Sequence, residues 1–258
     1  MTENKQTNQD NINKDMCHIS ETNVKLMQHN TESQAKAYEP YIGTNIILKD
    51  SLDEYIRPKL MEVEHVDNLV PWNSALNAAR RTVGKERKEN EPSDAWKSKM
   101  LLAEHSPIRL VQYGWTWKQM PQWVTVHYVR HHIGCEKFVH TQRTDRTGSD
   151  IPRNEHLQGE LNDMDMVANA QEIINISKVR LCSKASKETR HAWKLFLEKL
   201  NEKDPVLVSK CVPTCVYRGF CPELKCCGYV FTDKYKKQLE EYRKDSDQYK
   251  QMKSKENN

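Results

Sequence analysis

Apolar positions recur with regular spacing through the middle of the chain, and polar breaks divide them into short elements. Residues 1–45 show no such spacing; Asn, Gln, Thr, Lys and Glu dominate, which predicts a mobile polar tail. Pro71-Trp72 opens a helical run over Ser74–Arg81, and the polar stretch Gly84–Asp94 reads as a loop. Trp96–Ala103 predicts a helix that stops at His105-Ser106-Pro107, because the residue before proline avoids helical geometry. Tyr113, Trp115 and Trp117 alternate with small or polar residues, the pattern of a half-buried strand. Over Pro121–Arg130 the signals conflict: Val124, Val126 and Val129 favour strand, whereas Pro121 suits a helix start, and the stretch is read as helix. Met166–Leu181 predicts a helix with Ala170, Ile173, Ile174, Ser177 and Leu181 on one face. Ala192, Trp193, Phe196, Leu197 and Leu200 mark a second. From Lys234 onward the chain is almost entirely charged or amide, an exposed helix or a tail. The expected organisation is therefore a tail over 1–45, a folded body over 46–208, a Cys-rich segment over 209–230 and a charged end over 231–258.

Composition narrows the function. The chain has 258 residues, 37% hydrophobic and 29% charged, with a net charge of only +4. That charge gives weak attraction for phosphates and no case for wholesale duplex binding. No apolar run approaches the ~20 residues of a membrane helix, and the N-terminal stretch MTENKQTNQDNINKD has no signal-peptide core, which predicts a cytoplasmic protein. Only eight glycines occur, none in G-x-G-x-x-G or P-loop spacing. Both of those motifs use glycine to bring backbone close to phosphate. Any nucleotide must instead be held by side-chain cations.

Such cations concentrate between Arg130 and Arg143, in R-H-H-I-G-C-E-K-F-V-H-T-Q-R. Arginine presents a planar fork of donors matched to phosphate oxygens, and adjacent imidazoles can donate, carry charge or move a proton. The block reads either as a surface basic patch or as a cradle for an anionic, ring-bearing ligand. A second block, V-A-N-A-Q-E-I-I-N-I-S-K-V-R, carries Asn169, Asn175 and Arg180. Carboxamides offer donors and acceptors to a heterocycle edge; the plainer reading is a polar helix stripe.

Together the two blocks resemble the flavin-dependent thymidylate synthase family, marked by R-H-R, seven or eight residues, then S-x-R. Here R-H-H is followed by eight residues and T-Q-R. Upstream, His105-Ser106-Pro107 is similar to the family's S-P-F-E-H segment, and Pro121 stands at the family's proline. Downstream, Asn169, Asn175 and Arg180 match its N-A-R-S-L-x-N-x-x-x-x-R helix, with Ala185 and Glu188 matching the A-Q-x-E-I that follows. The resemblance spans roughly residues 75–205.

It implies an α+β fold, a central mixed or antiparallel sheet flanked by helices, assembled as a homotetramer whose sites draw on several subunits. It implies FAD as cofactor, NADPH as reductant and methylenetetrahydrofolate as donor of a one-carbon unit to carbon 5 of dUMP. Carried over by position, Arg130, His131, His132, Asn169, Asn175 and Lys184 would contact the flavin. His127, Glu136, Thr141, Arg143 and Arg180 would meet the nucleotide, with Thr141 and Arg143 on its phosphate. Arg180 and Arg143 would be the catalytic pair, Arg180 stabilising charge on the uracil carbonyl edge. The chain departs from the pattern at His132, where the family has Arg, at His127 for Gln, and at Gln171 for Arg. Arg109 and Leu110 stand in place of the E-H of S-P-F-E-H. These departures leave open a related pyrimidine hydroxymethylase.

Of eight cysteines, Cys211, Cys215, Cys221, Cys226 and Cys227 fall within seventeen residues. Closely spaced thiolates suit tetrahedral zinc, and a structural site from Cys182, Cys215, Cys221 and Cys227 is expected beside the alternative of small buried thiols. A second functional class follows from them: a non-catalytic, zinc-bearing binder of single-stranded nucleic acid that stacks bases on Trp115, Trp117 and Trp123.

Overall fold

A computed structural model of the chain describes residues 61–256; the tail expected over 1–45, and Cys17 within it, lie outside them. Four antiparallel strands form one sheet in the order β1-β2-β4-β3. They are β1 (Glu62–Val70), β2 (Gln112–Pro121), β3 (Cys135–Val139) and β4 (Leu161–Asn169). The expected α+β class holds, with an antiparallel rather than a mixed sheet.

β2 and β4 are the two interior strands. Tyr113, Trp115 and Trp117 are buried on one face and stand opposite Ala168, Met166 and Met164 of β4. β1 escapes a period-two reading because its register shifts between Val63 and Val66, so its two deeply buried valines sit three apart. The start of β4 corrects the helix expected from Met166. Asn162, Met164, Met166 and Ala168 alternate inward, and the helix begins only after Asn169.

The helices expected elsewhere form close to their expected spans. α1 (Trp72–Thr82) follows Pro71, and α2 (Asp94–Leu102) is capped by the Ser93 hydroxyl. α3 (Gln122–Val129) follows β2 directly, with Pro121 ending the strand and opening the helix. A single turn, α4 (Thr144–Thr147), lies in the connection between β3 and β4. α5 (Ala170–Arg180) and α6 (Lys187–Asn201) come next.

α6 covers the tryptophan face of the sheet. Phe196 stacks on Trp115 with ring centroids 3.9 Å apart, and Trp117 Nε1 donates to the Ala192 carbonyl at 3.1 Å. Full burial of such rings is worth about 1.5–3 kcal/mol each. Trp115 and Trp117 are therefore core residues, which removes two of the three platforms offered for base stacking. Asp204 ties this core to the outer helices, accepting from Trp72 Nε1 at 2.6 Å and from the Tyr113 hydroxyl at 2.7 Å. It also caps α7 (Pro205–Ser209) through the Leu207 amide at 2.9 Å.

The Cys-rich segment contributes α8 (Thr214–Arg218), and the charged end forms α9 (Asp233–Arg243) and α10 (Asp247–Glu256). α9 is docked rather than loose. Its Tyr235 and Tyr242 are buried with Val212 and Val216 in a second small core. Just beyond α9, Asp245 accepts from buried Lys210 at 2.7 Å and from Ser98 on α2 at 2.5 Å. Among the described residues no helix is long and apolar enough to cross a membrane.

Candidate functional site

The two polar blocks meet where the turn after α3 crosses the start of α5, with Gly134 against Asn169. Gly134 makes the crossing possible. Its φ is +73°, and a Cβ there would lie 2.5 Å from the Asn169 side-chain nitrogen. The Gly134 carbonyl accepts from the Asn169 amide at 2.9 Å, and Asn169 Oδ1 caps α5 through the Glu172 amide at 2.9 Å.

His131 inserts between the two ends of α5. Arg180 Nε donates to its Nε2 at 3.0 Å, while its Nδ1 lies 3.5 Å from the Glu172 carboxylate. A second Arg180 nitrogen donates to the His127 carbonyl at 2.5 Å. Lys137 and the Cys135 thiol, from β3, both donate to the His131 carbonyl. Arg130 and His132 are exposed at the rim, with His132 Nδ1 2.9 Å from the Arg130 carbonyl.

Arg180 is half-buried and has no carboxylate partner among the described residues. Burial works against its charge, and so does neighbouring Arg130. His127 feels the same field: burial, then Arg180 and Arg130, hold its imidazole below the ordinary value. Its Nδ1 sits 2.6 Å from the Thr189 hydroxyl, and Tyr128 beside it donates to the Thr189 carbonyl at 2.6 Å. Arg180 and Lys184 line a cavity of about 180 Å³ with Lys178, Cys182, Thr214 and Glu223.

Not every expected residue joins this cluster. Asn175 is turned inward, donating to Glu172 at 3.2 Å and accepting from Gln171 at 3.4 Å and Lys178 at 3.5 Å. Lys178 in turn pairs with Glu104 at 2.6 Å. Thr141 and Arg143 lie past the far end of β3, which runs from Cys135 opposite Ala168 to Val139 opposite Met164. That strand length alone separates them from the His131 end by about 13 Å. There the Arg143 fork already grips a carboxylate, with Nε and a terminal nitrogen 3.0 and 2.6 Å from the two Asp145 oxygens, and its amide donates to Thr141 Oγ1 at 3.2 Å. Glu136 points outward on β3.

The zinc arrangement expected of Cys182, Cys215, Cys221 and Cys227 is not assembled. Among the described residues no group of three or more His, Cys, Asp or Glu side chains is placed to hold a metal ion. The thiols share a region, and Cys221 and Cys226 hydrogen-bond to each other, but no three of those described close on one point. Cys182 Sγ lies 4.0 Å from a Glu223 oxygen, and Cys226 accepts from the Gly228 amide at 3.4 Å. Cys215 is pushed up to about 11 by burial and by neighbouring Cys182, Cys221 and Cys227. Cys211 is a core residue, and burial pushes its thiol up to about 12.

Sequence reasoning passed over Gly134 and Glu172. Gly134 was visible as one of only eight glycines, inside the basic block. Glu172 was visible as the fourth residue of N-A-Q-E, a capping-box spacing, but its carboxylate turns to His131 rather than back to the Asn169 amide.

No family model matches the chain, and no curated protein does. Among solved structures, two of the flavin-dependent thymidylate synthase ThyX from Helicobacter pylori with FAD and dUMP align at TM-scores of 0.47 and 0.48, with 15% and 13% identity. Each covers 59% of this chain and 99% of that one. A UMP/dUMP methylase, PolB from Streptomyces cacaoi, bound with 5-Br dUMP, aligns at a TM-score of 0.47 and 12% identity over 62% of this chain and 95% of its own.

Proposed function

We propose that the chain is a flavin-dependent enzyme that transfers a one-carbon unit from methylenetetrahydrofolate to carbon 5 of dUMP, forming dTMP. The observation that carries this reading is Arg180: a half-buried guanidinium held by the His131 ring, the His127 carbonyl and the face of Tyr128, with no carboxylate partner among the described residues and with Arg130 adding like charge. A desolvated cation without a counter-charge is costly unless an anion completes it. The residues around it suit a flavin and a uracil edge. Arg130 and His132 present a cation and an imidazole on one rim, His131 and Asn169 sit behind them, and Lys184 shares the adjoining cavity.

A flavin held by Arg130, His131, His132, Asn169 and Lys184 would supply the hydride-transfer chemistry, with NADPH as reductant. The chain's own residues bind and polarise. Arg180 holds the uracil carbonyl edge and stabilises negative charge there as carbon 5 becomes nucleophilic. Arg143 and Thr141 take the dUMP phosphate, which displaces Asp145 from a fork already set in the geometry that paired oxygens accept. Those two residues lie a strand's length from the His131 end, a separation that supports a site completed by a neighbouring subunit of the homotetramer the resemblance implies. His132 and Gln171, where the family carries Arg, are the positions that would divert the enzyme to a hydroxymethyl product.

Purified protein is expected to be yellow and to release tritium from carbon 5 of labelled dUMP when given NADPH and methylenetetrahydrofolate. A colourless protein that takes up no FAD would refute the reading, and flavin binding without tritium release would redirect it to another pyrimidine nucleotide.

A further inference from the structure

Glu172 is 5% exposed, yet among the described residues its carboxylate has no lysine or arginine in direct contact. One oxygen accepts from Asn175 Nδ2 at 3.2 Å, and the other faces His131 Nδ1 at 3.5 Å. Across the ring, His131 Nε2 receives the Arg180 Nε proton at 3.0 Å. A guanidinium only donates, so Nε2 must present its lone pair. With one ring hydrogen, the imidazole then carries it on Nδ1, the nitrogen 3.5 Å from the Glu172 carboxylate. Glu172 and Arg180 are eight residues apart on α5, about 12 Å along the axis. They cannot pair directly, and the imidazole bridges them.

Other groups around the ring do not compete for its nitrogens. From β3, Lys137 and Cys135 address the backbone carbonyl. From its own turn, Arg130 and His132 face the rim, and from α3 His127 contributes its carbonyl to Arg180.

We infer that Glu172 is a positioning residue: by fixing His131 in the Nδ1-protonated tautomer, it locks the Arg180 guanidinium between that ring and the His127 carbonyl, leaving its remaining N–H groups aimed at the ligand. The role presupposes that Arg180 meets the nucleotide, as proposed above. The carboxylate therefore acts on the nucleotide at two removes, through one ring and one guanidinium.

The test is a long-range proton–nitrogen spectrum of the full, nitrogen-15-labelled chain above the ordinary imidazole range, with His131→Gln to assign the ring. Wild type should show His131 with Nε2 unprotonated. Glu172→Leu should lose that preference, and Glu172→Gln, whose amide oxygen still accepts, should keep it. In parallel, dUMP affinity should fall about tenfold in the leucine variant and less than about threefold in the glutamine variant. An Nε2-protonated His131 in wild type, or an unchanged tautomer in a folded leucine variant, overturns the inference. If the tautomer responds as stated while wild type binds neither FAD nor dUMP, Glu172's hold on His131 stands and the enzymatic reading falls.

Discussion

Replacing Gly134 by alanine tests the junction of the two polar blocks directly. At φ +73° an L-residue carries a strain of about 1–2 kcal/mol. The added methyl would also lie 2.5 Å from Asn169 Nδ2. Asn169 must then move, and its cap on α5 is worth about 1 kcal/mol. The summed loss is about 2–3 kcal/mol. Gly148→Ala is the control, because Gly148 has φ +68° and nothing within 4 Å of the added carbon. It should pay the strain alone, so urea unfolding of the two variants should differ by about 1 kcal/mol. Flavin uptake should fall in Gly134→Ala and stay unchanged in Gly148→Ala. Equal loss of stability in both, with equal flavin uptake, would refute the claim that Gly134 exists to admit Asn169.

Three further outcomes are expected. Asp204→Ala strands the Trp72 and Tyr113 donors and uncaps α7; it should cost about 3–5 kcal/mol in chemical denaturation, by the cost of orphaned buried partners. Arg180→Lys keeps the charge but cannot reach both the His131 ring and the His127 carbonyl, so titration calorimetry should show dUMP binding weakened about tenfold or more. His127 has a folded value below its unfolded one, held down by burial, Arg180 and Arg130, so the unfolded state takes up protons first and stability falls as pH drops through about 6.5. His127→Gln should flatten the urea midpoint between neutral and mildly acidic pH, and an unchanged slope would contradict the assignment.

The one-dimensional pattern carried the helices and the central strand because each declares itself within a few residues. Trp193, Phe196 and Leu200 show a helical stripe, and Tyr113, Trp115 and Trp117 a strand face, before any partner is known. The ordered spacing of Arg130, Asn169 and Arg180 was legible in the same way. The other strands were not. β1 is disguised by its bulge, the five-residue β3 is too short to show a period, and the inward methionines of β4 run without a break into α5.

Sequence alone determined which residues bear charge, rings and amides, and in what order along the chain. Only the tertiary structure decided which of them face one another. It turned Asn175 inward, buried Trp115 and Trp117, left the described thiols without a metal-holding group, and set Glu172 behind His131. The physical reason is that propensity and period act over one or two turns, whereas a hydrogen bond between residues forty-nine apart, such as His131 with Arg180, depends on how sheet and helix pack.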